Sequence, residues 1–173
     1  IIPHGTHTVL WNQKKQLKRK YAYDDRIILS TFGLMSENKS IETILYALPK
    51  IVKKHPNILY MIIGKTHPEV IKNEGEKYRD NLIKIVQDLK LENNVLFINE
   101  YLELSQLLEY LTLSDIYLFT SKDPNQAVSG TLAYAMSCGC AVISNPIPHS
   151  LEILDNHKGL LLNKFNEPKE FQK

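Results

Sequence analysis

Six short runs of apolar residues, rich in β-branched and aromatic side chains, divide this chain at regular intervals. They are Arg26 to Phe32, Leu59 to Ile63, Val95 to Ile98, Ile116 to Phe119, Ala141 to Ile143 and Leu160 to Leu162. Gly33 and Gly64 close the first two, and Asn145-Pro146 follows the fifth. Compact runs of this length, without strict alternation, predict strands buried on both faces. Between them the spacing changes. Ile41, Ile44, Leu45, Leu48, Ile51 and Val52 recur at intervals of three and four, as do Tyr78, Leu82, Ile85, Val86 and Leu89. Both stretches predict amphipathic helices. Leu107, Leu108 and Leu111 mark a shorter third helix, for which Ser105 is the expected cap, as Ser40 is for the first. A fourth runs from Ser129-Gly130-Thr131 to Ser137 and is stopped by Cys138-Gly139. A fifth starts near His149. Lys65 to Gly75 reads as a loop around His67-Pro68, and Ile1 to Thr8 as a strand end with a turn at Pro3-His4-Gly5.

Strand and helix alternate throughout. The expected fold is α/β, a Rossmann-like parallel sheet with helices on both faces and right-handed crossovers. In open sheets of this kind ligands sit beyond the carboxyl ends of the strands. The loops there are 33–39, 64–75, 99–104, 120–129 and 144–149. The expected divisions are a linker over residues 1–25, one domain over 26–164 and a polar, frayed tail over 165–173. The chain starts without Met, so it reads as a piece of a longer protein whose N-terminal domain is missing.

Composition narrows the partners. The 173 residues are 43% hydrophobic and 23% charged, with a net charge of +2. No large positive field exists, so nucleic acid is not an expected partner. Lys14, Lys15, Lys18, Arg19 and Lys20 do cluster between Gln13 and Asp25. They read as a solvated helix or linker, or as a patch for peripheral association with an acidic membrane surface. No apolar run approaches the roughly 20 residues of a membrane span. The two cysteines, Cys138 and Cys140, are one residue apart. They read as small buried residues rather than as metal ligands with His149, and a reducing cytoplasm fits them. No metal is expected.

Candidate chemistry gathers on the ligand side. A helix start offers free backbone N–H groups and the positive end of a dipole. Ser129, Gly130 and Thr131 at such a start form the best phosphate seat in the chain. The same three residues also read as a plain N-cap. Lys39, at the end of the first strand-to-helix loop, either reaches a phosphate held over the sheet or is a solvated lysine. No Gly-x-Gly-x-x-Gly and no Walker loop follow the first strand.

The chain as a whole resembles glycosyltransferase family 4, in the C-terminal, nucleotide-sugar-binding half of the GT-B fold. The matching pieces keep their order over about 160 residues. Ile2-Pro3-His4-Gly5 is similar to I-P-N-G, and Gly33 with Lys39, Ile41 and Ala47 to the glycine–lysine–alanine pattern after the first strand. Ile62-Ile63-Gly64, Val95-Leu96-Phe97 and Ser114-Asp115-Ile116 resemble I-V-G, V-x-F and A-D-V. Ala135 to Gly139 with Val142-Ile143 is similar to E-A-M-A-x-G-x-P-V-I, followed by Glu152 and Gly159-Leu160-Leu161. The resemblance implies a retaining, metal-independent hexosyltransferase that takes a UDP- or GDP-linked sugar and needs no cofactor. The acceptor, a sugar or a lipid-linked molecule, would be held by the missing N-terminal domain, so the isolated domain is expected to be inactive. Lys39 and Gln126 would be the catalytic positions. Gly33, Lys39, Asn99, Ser129, Gly130, Thr131 and Tyr134 would bind the donor, with Glu100 nearby. Three positions depart from the family. Leu34 stands where it has a phosphate-binding arginine, and Gln126 and Tyr134 stand where it has two glutamates eight apart. The first of those glutamates contacts the donor sugar and the second grips the ribose. Gln126 can still donate and accept hydrogen bonds, and Tyr134 either lines the site or packs in the core. The alternatives are a non-catalytic nucleotide-sugar-binding domain, a sugar-nucleotide epimerase and a phosphorylase.

Overall fold

The computed structural model describes residues 5–7, 9, 13–154 and 158–172. The turn expected at Pro3-His4-Gly5 lies mostly outside them. Six strands form one sheet: β1 (Ile27–Phe32), β2 (Ile58–Ile63), β3 (Val95–Ile98), β4 (Ile116–Phe119), β5 (Ala141–Ser144) and β6 (Leu160–Leu161). The spatial order is β3-β2-β1-β4-β5-β6, and every pairing is parallel. The parallel α/β architecture expected from the pattern is therefore present. β1 is central, and the chain reverses its direction of travel between β1 and β4. A crevice opens at such a reversal, beyond the carboxyl ends of the strands.

The helices are α1 (Lys14–Lys20), α2 (Ile41–Lys54), α3 (Pro68–Glu74), α4 (Lys77–Asp88), α5 (Leu104–Leu113), α6 (Gly130–Ser137) and α7 (Pro148–Ile153). Successive strand residues point to opposite faces, and the core divides accordingly. Leu29, Ile58, Tyr60 and Ile62 pack on one face with Ile41, Ile44, Leu45 and Leu48 of α2 and Leu82, Ile85 and Val86 of α4. Ile28, Leu59, Met61 and Ile63 pack on the other with Leu17 of α1 and Leu113 of α5. Leu132 and Ala135 of α6 join Tyr117, Phe119 and Val142 beyond them. The reading of Cys138 and Cys140 as small core residues also holds. Both are buried and free, and burial pushes the Cys140 thiol up to about 12.

Several local expectations give way to tertiary contacts. The loop expected over 65–75 contains α3. It exposes no apolar stripe that a pattern could reveal, because none of its residues is buried. His67 starts it by accepting from Glu69 N–H at 3.2 Å, with Pro68 in the first turn. Neither expected serine cap forms. α5 begins after Glu103. Ser40 Oγ bonds Thr43 Oγ1 at 3.0 Å, and the Ile41 N–H at the start of α2 donates instead to Tyr78 Oη at 3.1 Å. The basic helix α1 docks through the buried Leu17 and leaves Lys15, Arg19 and Lys20 exposed, so the solvated-helix reading holds for its outer face. Lys18 and Lys14 pair with Asp115 at 2.5 and 3.7 Å, Lys20 with Glu109 at 2.6 Å and Arg19 with Asp24 at 3.4 Å. Four of the five clustered cations thus have acidic partners, and Arg19 and Lys20 remain 67% and 55% exposed in their pairs.

The tail is packed, not frayed. Residues Pro168–Gln172 form a short 3-10 helix. Phe171 of that turn closes an apolar cavity of about 260 Å³ with Leu48, Ile51, Ile116, Leu118 and Ile143, and Gln172 Nε2 donates to Ala47 O at 3.3 Å. Phe171→Ala should therefore lower stability by about 1–2 kcal/mol, less than the roughly 3–5 kcal/mol of a fully buried phenylalanine. Urea unfolding of both proteins checks this, and an unchanged midpoint would mean that the tail does not dock.

Gly33 and Gly64 end β1 and β2 side by side with φ of +129° and +127°. A methyl group on Gly64 would run into the carbonyl group of Gly33. Gly64→Ala should cost about 3 kcal/mol, the upper end of ordinary substitutions, because backbone strain and a clash against main chain act together. The same denaturation series measures it.

Candidate functional site

Three of the expected site residues meet at the carboxyl end of β1. A methyl group built on Gly33 would stand 3.1 Å from Lys39 Nζ and 3.2 Å from Thr131 Cγ2. The lysine ammonium and the start of α6 therefore converge over one glycine, and only glycine leaves room for both. Lys39 is not the fully solvated lysine that its position also allowed. It instead folds back under the loop, and its backbone is pinned on both sides. Its N–H donates to Ser36 O at 2.9 Å and its carbonyl oxygen accepts from Thr120 Oγ1 at the end of β4. Burial alone pulls its pKa below the ordinary lysine value of 10.5, with no charged neighbour among the causes.

The start of α6 divides its work. Ser129 caps the helix, accepting from Leu132 N–H at 3.3 Å, and shares a hydrogen bond of 3.1 Å with the Thr131 hydroxyl. Its own N–H donates to His149 Nδ1 at 2.9 Å. The N-cap reading is therefore correct for Ser129, whose side-chain acceptor and backbone donor are both spent. The N–H groups of Gly130 and Thr131, first in the helix, have no intrahelical acceptor. Thr131 also bonds the buried Tyr117, whose phenol is pushed up to about 12 by burial, an effect opposed by the bonds to Thr131 and to the Phe32 backbone.

Beside this point lies a cavity of about 280 Å³, open to the carboxyl ends of β1, β2 and the loop after β3. Gly33 and Tyr134 both line it. Phe32, Leu34, Ile63, Leu102, Leu104 and Leu107 make its walls apolar, and Lys65, Glu100 and Tyr101 stand at its rim. Tyr101 is 81% exposed. Tyr134 lines the cavity and packs with the α6 cluster at once, its ring 6.4 Å from that of Phe32, edge-on, and 5.8 Å from that of His7. Asn99 is exposed and lies outside the lining, where Glu100 and Tyr101 take its place. Gln126 also stays outside. Its amide accepts from Ser121 Oγ at 3.0 Å and donates to Val128 O at 3.2 Å, bracing the loop that leads to α6. Sequence reasoning missed His149 as the partner of Ser129, and Thr120 as the anchor of Lys39. It also missed the apolar cavity wall, although every loop that supplies the rim had been placed on this side.

The family profile for "Glycosyl transferases group 1" matches residues 12–173. The chain belongs to this family. Within known proteins it is 22% identical to spore coat protein SA of Bacillus subtilis (strain 168) over 161 residues, 91% of this chain and 41% of that protein. The fold is shared with the Anabaena protein Alr3699/HepE, whose structure in complex with UDP and glucose superposes with a TM-score of 0.77 at 19% identity, covering 95% of this chain and 42% of that one. The C-terminal domain of a group 1 family glycosyl transferase (LpcC) from Francisella tularensis superposes with a TM-score of 0.76 at 18% identity, over 98% of this chain and 80% of that one. The chain thus spans about two fifths of the length of the Bacillus and Anabaena proteins. Among the described residues no helix is long and apolar enough to cross a membrane.

The lowered pKa of Lys39 has a direction that can be tested. The folded pKa lies below the unfolded one, so the charged lysine costs stability at neutral pH. That cost fades as pH rises from the folded value towards 10.5. Lys39→Met should therefore raise the melting temperature of the ligand-free protein at pH 7, with the gain shrinking near pH 10.5. The same variant should bind nucleoside diphosphates more weakly by about 1.5–3 kcal/mol, the range for a charged hydrogen bond. Scanning calorimetry at the two pH values and titration with UDP and GDP check both parts. A lower melting temperature at pH 7 would give Lys39 a stabilising role instead.

Proposed function

We propose that this chain is the donor-binding part of a glycosyltransferase that takes a sugar from a UDP- or GDP-linked donor. The observation that carries the proposal is the half-buried Lys39, whose ammonium borders Gly33 beside the start of α6 and whose pKa burial lowers with no charged group contributing. In this reading the diphosphate lies over Gly33, held by Lys39 and by the N–H groups of Gly130 and Thr131. The base and ribose enter the apolar cavity beside Tyr134 and Glu100. The bound UDP of the Anabaena relative supports a uridine nucleotide as the first candidate. The leaving diphosphate gains negative charge as the sugar departs. A fixed cation and oriented dipoles aimed there favour the transition state over the bound donor. The transfer is assigned as retaining and metal-independent, with a hexose as the group transferred. The acceptor side belongs to the remaining part of a longer enzyme, so this chain alone should bind donor without turning it over.

A second reading is a nucleotide-sugar-binding domain without catalysis. It is favoured by Gln126, whose amide is tied to its own loop rather than turned to the cavity. The two readings share the binding step and part at sugar transfer by the full-length protein.

Titration calorimetry with UDP and GDP, with and without a chelator, tests the binding step. At least one nucleotide should bind, and the chelator should leave its affinity unchanged. No heat with either would overturn the donor-site assignment. Tyr134→Phe should weaken nucleotide binding by about 0.5–1.5 kcal/mol, one hydrogen bond's worth, with little change in melting temperature. A lower melting temperature at unchanged affinity would return Tyr134 to the core alone.

A further inference from the structure

Ser129 is 4% exposed, so its backbone N–H needs a partner inside the protein. That partner comes from another element. His149, twenty residues on and in the first turn of α7, accepts the bond at Nδ1 over 2.9 Å. His149 is itself only 9% exposed. Nδ1 is the acceptor of this bond and so carries no proton in it. We propose that His149 is a positioning residue for the donor seat, acting through Ser129. The proposal rests on the donor-binding reading given above.

Contacts lead from His149 to the anion position without a gap. The Nδ1 bond fixes the peptide that enters Ser129. Ser129 Oγ, set by that peptide, caps Leu132 N–H at 3.3 Å and shares a hydrogen bond with Thr131 Oγ1 at 3.1 Å. The Thr131 methyl group borders Gly33 on one side of the site, where Lys39 Nζ borders it on the other. A turn of the Ser129 peptide would therefore re-aim the N–H groups of Gly130 and Thr131 relative to Lys39. It would also free a buried donor to seek another acceptor. His149 prevents both by supplying one acceptor at one place.

The test separates seat geometry from simple packing. His149→Ala and His149→Leu both remove the acceptor, and leucine keeps most of the bulk. His149→Asn puts its Oδ1 where Nδ1 stood and keeps an acceptor. UDP and GDP affinities of the 173-residue chain are measured at a temperature where circular dichroism shows each variant folded. Whichever of the alanine and leucine variants folds should bind at least about tenfold more weakly than the parent, and the asparagine variant within about threefold of it. A packing role would lower the melting temperature of all three and leave the affinities of the folded proteins alike. Unchanged affinity in the alanine or leucine variant overturns the proposal, and so does an asparagine variant as weak as those two. Absence of any nucleotide binding by the parent chain overturns the donor reading itself and the proposal with it, an outcome distinct from the other two.

Discussion

The close approach of backbone to backbone at Gly33 and Gly64 is the constraint on which this molecule turns. Two parallel strands end there side by side, both in a left-handed conformation, with no space for a side chain on Gly64. Arg79 Nη2 holds the Gly64 carbonyl oxygen at 2.9 Å from the α4 side. On the other side the bare Gly33 leaves the gap into which the Lys39 ammonium and the Thr131 methyl group both reach. A Cβ at either glycine would separate the strand ends or push the lysine from the start of α6. The fold and the candidate site therefore share one steric condition, met by two residues that lack a side chain.

Around that point the protein accepts a local cost. An ammonium removed from water with no charged neighbour opposes folding, and the rest of the sheet must outweigh it. It does so with strands buried on both faces and helices that pack on each. The charges remote from the site are handled differently. Asp115 receives Lys18 and the Ile28 N–H, and Glu109 receives Lys20 and Tyr21. Glu42 receives Lys122 at 3.1 Å and Tyr78 at 2.7 Å. These acidic side chains thus fasten helices and loops.

The group 1 glycosyl transferase resemblance survives in architecture more closely than in charge. The glycine, the lysine and the helix start occupy one place, and the cavity beside them is apolar. The two positions that carry glutamates in the resembling family hold Gln126 and Tyr134, and they serve structure visibly. Gln126 braces the loop before α6, and Tyr134 packs between Phe32 and His7 while facing the cavity. With Leu34 in place of an arginine, Lys39 is the cation nearest to Gly33.

The sequence by itself determined the architecture and the side on which a ligand would sit. Continuous β-branched runs and three-and-four spacings are properties of neighbours along the chain, and period follows directly from backbone geometry. β3 and β4 fall where the apolar runs begin and end, and the other strands lie within two residues of them. Lys39, Gly33 and Thr131 were legible because each stands at a strand end or a helix start. What the tertiary structure decided was partnership. α3 carries no buried face to announce it, and its start rests on the His67 cap and Pro68. Tyr78 took over the start of α2 from Ser40 across 37 residues, and His149 took the Ser129 N–H across 20. Lys39 became partly buried beside Gly33, and Phe171 became partly buried against α2 and the sheet. Such outcomes depend on distances between residues remote in sequence. Periodicity carries no information about those distances, because it records only how a residue stands relative to its own neighbours.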